Sequence, residues 1–127
     1  MTVYVVDDDA SVRRALGRLL KSAGLSVRVF ASAEEFLGSG APYEGACLVA
    51  DIRMPGMSGL ELLQELHRRG AAIPAILVTA HDTEESRMEA ALAGANGYFS
   101  KPVDANTLLQ AIEDAGNGER TGGSEQR

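Results

Sequence analysis

Five side chains in this sequence could do chemistry together: the carboxylates of Asp7, Asp8 and Asp51, the hydroxyl of Thr79 and the ammonium of Lys101. Carboxylates that converge repel one another, and the usual remedies are a raised pKa or a bound cation. Hard oxygen ligands from Asp8 and Asp51, with a backbone carbonyl from the loop after Asp51, suit Mg2+, which keeps several waters and couples protein carboxylates to a phosphate. Ca2+ fits less well, because no segment has the spacing of an EF-hand loop and three acids make a sparse cage. The Thr79 hydroxyl and the Lys101 ammonium supply a donor and a point charge suited to phosphoryl oxygens. The set reads as parts for phosphoryl transfer. The sequence has no G-x-x-x-x-G-K-[ST] and no glycine-rich loop after its first apolar run, so the phosphoryl group is expected to arrive on a partner or a small donor.

These residues work together only if the backbone gathers them. Cys47-Leu48-Val49-Ala50 reads as a strand buried on both faces that ends at Asp51, and Pro55-Gly56 and Ser58-Gly59 then break the chain before a helix. Taken alone, Asp51 reads equally well as a turn-capping aspartate. The second acidic cluster decides between the readings: Val3-Tyr4-Val5-Val6 is another buried run, and it ends at Asp7-Asp8-Asp9. Between them, Val12, Leu16, Leu19, Leu20 and Ala23 keep helical spacing up to a stop at Gly24, with Arg13, Arg14, Arg18 and Lys21 crowded on the other side as a solvated face. Leu25 to Phe30 alternates apolar and polar, the mark of a sheet edge. Ser32-Ala33-Glu34-Glu35 has the spacing of a capping box for a short second helix.

After the Asp51 loop, Ser58 opens a third helix whose buried stripe is expected at Leu60, Leu63 and Leu66, with His67 on the polar side. Pro74 to Thr79 is a buried-type strand ending in a hydroxyl. A fourth helix over Thr83 to Ala93 has only Met88 and Leu92 as large apolar residues and should pack weakly. Tyr98-Phe99-Ser100 forms a short strand before Lys101-Pro102, and Asp104 caps a fifth helix with Ala105, Leu108, Leu109 and Ile112 on its buried side. Residues 1–115 are expected to form the domain. Gly116 to Arg127, with four glycines and no large apolar residue, reads as a disordered tail or the start of a linker.

Strand and helix alternating five times call for a parallel sheet covered on both faces. With the second and fifth strands at the edges, right-handed crossovers give the flavodoxin-like order 2-1-3-4-5, whose switch point lies between the first and third strands. Both acidic clusters meet there.

At 127 residues the chain is long enough for one self-supporting domain. Its net charge of −6 argues against gripping a nucleic-acid backbone. No apolar run reaches the roughly 18 residues that span a bilayer, and the start lacks the regions of a signal peptide, so the expected location is the cytoplasm. Cys47, the single cysteine, reads as a small core residue.

Val5-Val6-Asp7-Asp8-Asp9, Asp51 to Gly59, Thr79-Ala80, Gly94-Ala95 and Lys101-Pro102 together resemble the receiver domain of two-component response regulators, a CheY-like fold, over essentially residues 1–115. The resemblance implies that Asp51 takes phosphate from a sensor histidine kinase as an acyl phosphate. It further implies that Asp7, Asp8 and Asp51 hold Mg2+ with the backbone carbonyl of Arg53, and that Thr79 and Lys101 bind the phosphoryl oxygens. Such a domain assists its own phosphorylation and dephosphorylation and does not turn over an external substrate. Ser32 to Leu37 and the loop Arg53 to Gly59 are most similar to the FixJ/NarL-type subfamily, whose members commonly carry a C-terminal helix-turn-helix; this sequence departs by stopping after one domain. The output implied is transcription regulation through a DNA-binding domain absent from the chain, with a stand-alone regulator as the alternative.

Two other classes are disfavoured. An aspartyl-nucleophile phosphatase needs an acid two residues beyond Asp51, where Arg53 stands, and a degenerate receiver that works without phosphate would lack an acid, the hydroxyl or the lysine. Arg53 and His81, each two residues beyond a site residue, are expected to flank the route of the hydrolysing water. Thr79 and Tyr98 are expected to form a switch that acts on the surface of the fourth helix, fifth strand and fifth helix, through which a second receiver would bind to give a phosphorylation-dependent homodimer.

Overall fold

The computed structural model describes residues 1–118. Val3 to Val6 lack any hydrogen-bonding side chain except the Tyr4 hydroxyl and are flanked by strands on both sides, so β1 (Thr2–Val6) can only be stable in the sheet interior. The chain continues through α1 (Ala10–Ser22), β2 (Ser26–Phe30), α2 (Ala33–Leu37), β3 (Ala46–Asp51), α3 (Gly59–Arg68), β4 (Ala75–Thr79), α4 (Glu84–Leu92), β5 (Gly97–Ser100) and α5 (Ala105–Gly116). All the strand pairs are parallel, and the order is β2-β1-β3-β4-β5, as the alternation of strands and helices predicts.

Each strand of the sheet centre feeds two cores by its period of two. Val3, Val5, Cys47, Val49, Ile76 and Val78 face α1 and α5, where Leu20, Leu108 and Ile112 meet them. Tyr4, Val6, Leu48, Ala50 and Leu77 face α2, α3 and α4, against Phe36, Leu62 and Leu66. Cys47 lies wholly inside, and burial pushes its thiol up to about 12, which leaves it unreactive.

The buried stripes differ from the expected ones by a fraction of a turn. In α3 the fully buried leucines are Leu62, Leu63 and Leu66, while Leu60 is only half-buried, because Gly59 sits so close to the backbone of β3 that the helix rolls its Leu62 side inward. In α5 Leu108, Ala111, Ile112 and Ala115 are buried and Ala105 is exposed; the alanines permit close approach to β3 and β4. In α1, Leu20 and Gly17 are buried, Ala23 is exposed, and Val12, Leu16 and Leu19 are half-buried. α4 is held even less firmly than its sequence suggests: Met88 is 60% and Leu92 85% exposed, and Ala90 alone is buried.

The helix starts show one exchange of roles. Ser32 accepts from the Glu35 amide, but Glu35 reaches past Ser32 to the Ala31 amide, so α2 lacks the reciprocal half of a capping box. The complete box belongs to α3, where Ser58 and Glu61 each accept the other's amide. Asp9, Thr83 and Asp104 cap α1, α4 and α5. α5 runs through Gly116, one residue beyond the expected domain end; of the expected tail, residues 119–127 lie outside the described residues.

Candidate functional site

β1 and β3 are neighbours with Val6 beside Ala50, so the residues that follow, Asp7 and Asp51, emerge side by side at the carboxyl edge of the sheet. Asp7 and Asp51 are buried and Asp8 is exposed. One carboxylate oxygen from each of Asp7, Asp8 and Asp51 lies within 4.8 Å of the others. Lys101, just past β5, brings Nζ to 2.9 Å from Asp7 Oδ2 and 2.9 Å from Asp51 Oδ2. The remaining oxygens are oriented by the backbone: the Asp9 amide donates to Asp7 Oδ1 at 3.0 Å and the Arg53 amide to Asp51 Oδ1 at 3.1 Å.

Among the described residues, a single ammonium with three carboxylates leaves the site negative. Arg13 stands close by, but its Nη1 donates to the Asp7 backbone carbonyl at 2.7 Å and not to a carboxylate. Burial raises the pKa of Asp51 above the usual carboxylate range, against the hydrogen bond and charge of Lys101, and the neighbouring charge of Asp7 adds to the rise. For Lys101 burial alone would pull the pKa down, but the hydrogen bonds and charges of Asp7 and Asp51 outweigh it and raise the value. The residual negative charge and the all-oxygen donor set fit a hard divalent cation.

The loop after Asp51 is tied down at both ends. Gly59 packs so closely that a Cβ would strike the carbonyl oxygen of Asp51, which requires glycine there, and its amide donates to the Ile52 carbonyl at 2.9 Å. Gly56 has φ +76°, and Glu34 of α2 accepts from the next amide, Met57, at 2.9 Å. Arg53 in this loop and His81 after β4 are both exposed.

Thr79 is buried, and its hydroxyl oxygen accepts from the His81 amide at 2.9 Å. It ends β4, one register step past Val78, which lies beside Asp51. Tyr98 turns its ring into the core on the α4 side, and its hydroxyl donates to Asp82 Oδ1 at 3.0 Å. Arg87 of α4 also holds Asp82, with Nε at 2.9 Å from Oδ1. Burial, followed by the hydrogen bond to Asp82, raises the Tyr98 pKa, while the Arg87 hydrogen bond lowers that of Asp82. His67 is exposed on α3.

Asp7, Asp8, Asp51 and Lys101 are thus gathered at one point. Thr79 stands at the adjoining strand end, and Arg53 and His81 lie on the loops around it, whereas Tyr98 sits beside Leu77 on the neighbouring strand β5 and turns its hydroxyl to Asp82, in the segment between β4 and α4. Sequence reasoning missed Glu34, Asp82 and Arg87. No local spacing signals Glu34 or Asp82, since each meets a partner on another element; Asp82 and Arg87, five residues apart across a helix start, left only a weak trace.

The family described as the response regulator receiver domain matches residues 3–113. The transcriptional regulatory protein FixJ of Azorhizobium caulinodans is 44% identical over 112 residues, covering 88% of this chain and 53% of its own length. The response regulator protein TodT of Pseudomonas putida strain F1 is 41% identical over 113 residues, covering 89% of this chain and 50% of its own. The chain therefore spans about half the length of these curated relatives. Among solved structures, the crystal structure of FixJ-N superposes with a TM-score of 0.85 at 39% identity, covering 91% of this chain and 93% of that one. Among the described residues no helix is long and apolar enough to cross a membrane.

Proposed function

This chain belongs to the response regulator receiver domain family, the phosphoacceptors of two-component signalling, and we propose that Asp51 is the residue that accepts the phosphoryl group. The observation that carries the reading is the position of the Asp51 carboxylate, which meets Lys101 Nζ at 2.9 Å within the Asp7, Asp8 and Asp51 cluster at a carboxyl strand end. A carboxylate oxygen of Asp51 attacks phosphorus; the bond from phosphorus to the donor imidazole nitrogen breaks as the new phosphorus–oxygen bond forms, its electron pair goes to that nitrogen, and the ring, which carries a proton on its other nitrogen, leaves as neutral imidazole.

Two groups of this chain answer the charge that develops. Lys101 follows the phosphoryl oxygens from its place between Asp7 and Asp51. Thr79 donates its hydroxyl hydrogen to another of those oxygens, a donor that its present role as acceptor for His81 leaves available. Asp7, Asp8 and Asp51, with the Arg53 carbonyl, would hold Mg2+, which would supply the positive charge that lets an anionic donor approach an acidic site. Arg53 and His81 flank the path of the water that later hydrolyses the acyl phosphate. The domain acts on itself and does not turn over an external substrate.

The donor is a sensor histidine kinase, in the cytoplasm. Phosphorylation draws Thr79 inward and shifts Tyr98, with α4, β5 and α5, toward a surface that binds a second receiver; the poor apolar anchoring of α4 supports this. The output is transcription regulation through a DNA-binding domain outside this chain, since the domain itself, at net charge −6, is a poor match for nucleic acid. Labelling with acetyl phosphate and Mg2+ followed by peptide mapping tests the assignment: the reading requires the label on the peptide that holds Asp51, and a label elsewhere refutes it.

A further inference from the structure

We propose that the groove between α1 and the open edge of β2 is a docking surface for an extended acidic segment of another protein, which joins the sheet as a strand beside β2. The groove has a volume of about 350 Å³, and its α1 wall carries four cations, Arg13, Arg14, Arg18 and Lys21, and no acid. Arg14, Arg18 and Lys21 are exposed, and among the described residues no carboxylate pairs with any of them. In a chain of net charge −6 this is a concentrated exception to the prevailing sign.

The floor is formed by Val27 and Val29, and Val29 is 44% exposed. Among the described residues β2 ends the sheet, with β1 as its single neighbour. Ser26 donates to the Met1 carbonyl and Phe30 accepts from Asp7, so residues 26, 28 and 30 turn their backbone groups toward β1. By the alternation of a strand, Val27 and Val29 present theirs to the open edge. An incoming peptide therefore finds unpaired backbone groups, an apolar floor and a cationic wall at one place, which is the pattern of strand addition.

Charge selects the occupant. A second copy pairing edge to edge would set two cationic α1 walls against each other and bring Arg28, stacked 5.3 Å over the Phe30 ring, beside its twin. An acidic strand meets no such repulsion. Its alternate residues fall about 6.8 Å apart, close to the roughly 6 Å rise from Arg14 to Arg18 along the helix. The surface lies at the sheet edge opposite β5, so it can be occupied together with the α4, β5 and α5 face.

The test is titration of the isotope-labelled chain with a seven-residue peptide of alternating Glu and Val, followed by NMR. The expected result is a set of shifts confined to α1 and β2, with exchange at the Val27 and Val29 amides slowed roughly tenfold or more. The exposed double substitution Arg14→Glu with Arg18→Glu should weaken binding at least about tenfold while leaving distant amides in place. A peptide of the same charge, N-methylated so that it cannot pair with the edge, should fail to bind. The proposal is overturned if the acidic peptide shows no binding at about 1 mM, if its shifts map elsewhere, or if the N-methylated peptide binds as well. Binding of phosphatidylserine vesicles through Arg14 and Arg18 in place of the peptide would also overturn it, because the patch would then be a membrane-facing charge.

Discussion

Lys101 Nζ is 2.9 Å from Asp51 Oδ2 and equally 2.9 Å from Asp7 Oδ2, so one ammonium is shared by two buried carboxylates on neighbouring strands. Removing it leaves both acids without a counter-ion among the described residues. Lys101→Ala should destabilise the metal-free domain by about 1–3 kcal/mol, below the cost at a fully dry pair because Lys101 keeps some contact with water. Urea unfolding measures this, and added Mg2+ should restore part of the loss by replacing the missing charge.

The raised pKa of Asp51 has a definite sign. Its folded state holds a proton more tightly than the unfolded chain does, so the protonated carboxyl favours the fold, and that contribution is lost as pH rises through the folded-state pKa. Asp51→Asn replaces the charge with a neutral amide. In metal-free buffer at neutral pH the variant should therefore melt a few degrees above wild type, and the difference should close as pH falls into the range where Asp51 is protonated. A melting difference that widens toward acid contradicts the assigned direction.

Adjacent acids are expected to divide their duties. Asp9 accepts from the Ser11 amide at 2.8 Å and the Val12 amide at 3.4 Å, which commits it to capping α1. Asp8 joins the carboxylate cluster. Asp9→Ala should cost about 1 kcal/mol of stability with little effect on Mg2+ binding, whereas Asp8→Ala should weaken Mg2+ several-fold with little effect on stability. Calorimetric metal titration and thermal melting on the same variants separate the two.

Much of this was legible because the sheet centre is written in continuous apolar runs that end abruptly in Asp7 and Asp51, a pattern for which a doubly covered parallel sheet is the economical solution. The weakness of α4 was legible too, in its two large apolar residues, both of which prove exposed. What escaped depends on docking. Whether Leu60 or Leu62 faces inward is set by how closely Gly59 approaches Asp51, and the Glu35 carboxylate chooses Ala31 over Ser32 by a difference of one residue in the turn. The link from Tyr98 to Asp82 joins residues on different elements that share no period, so hydrophobic pattern carries no trace of it.

Phosphate lifetime should respond to the two exposed residues beside the site, Arg53 and His81. Replacing either with alanine should change the dephosphorylation rate several-fold without altering the extent of labelling, because misplacing a water costs rate but not binding. Decay of the phosphorylated protein, followed by mass over time, checks this; unchanged decay in both variants assigns them to plain solvent exposure.

The switch predicts a structural response at a distance. A phosphate mimic should convert wild type from monomer to dimer in sedimentation and speed or slow amide exchange in α4, the helix with Ala90 as its sole buried residue. Thr79→Ala should bind the mimic yet remain monomeric, since the hydroxyl that now accepts from His81 is the group expected to move. Tyr98→Phe removes the hydrogen bond to Asp82 and should shift the same equilibrium without phosphate.

The central claim is that Asp51 is the nucleophile, and intact-mass analysis of wild type and Asp51→Asn after incubation with acetyl phosphate and Mg2+ tests it most directly. The account predicts one added phosphoryl group on wild type, its loss when the metal is chelated, and none on a variant whose melting shows it folded. Full labelling of folded Asp51→Asn would contradict it.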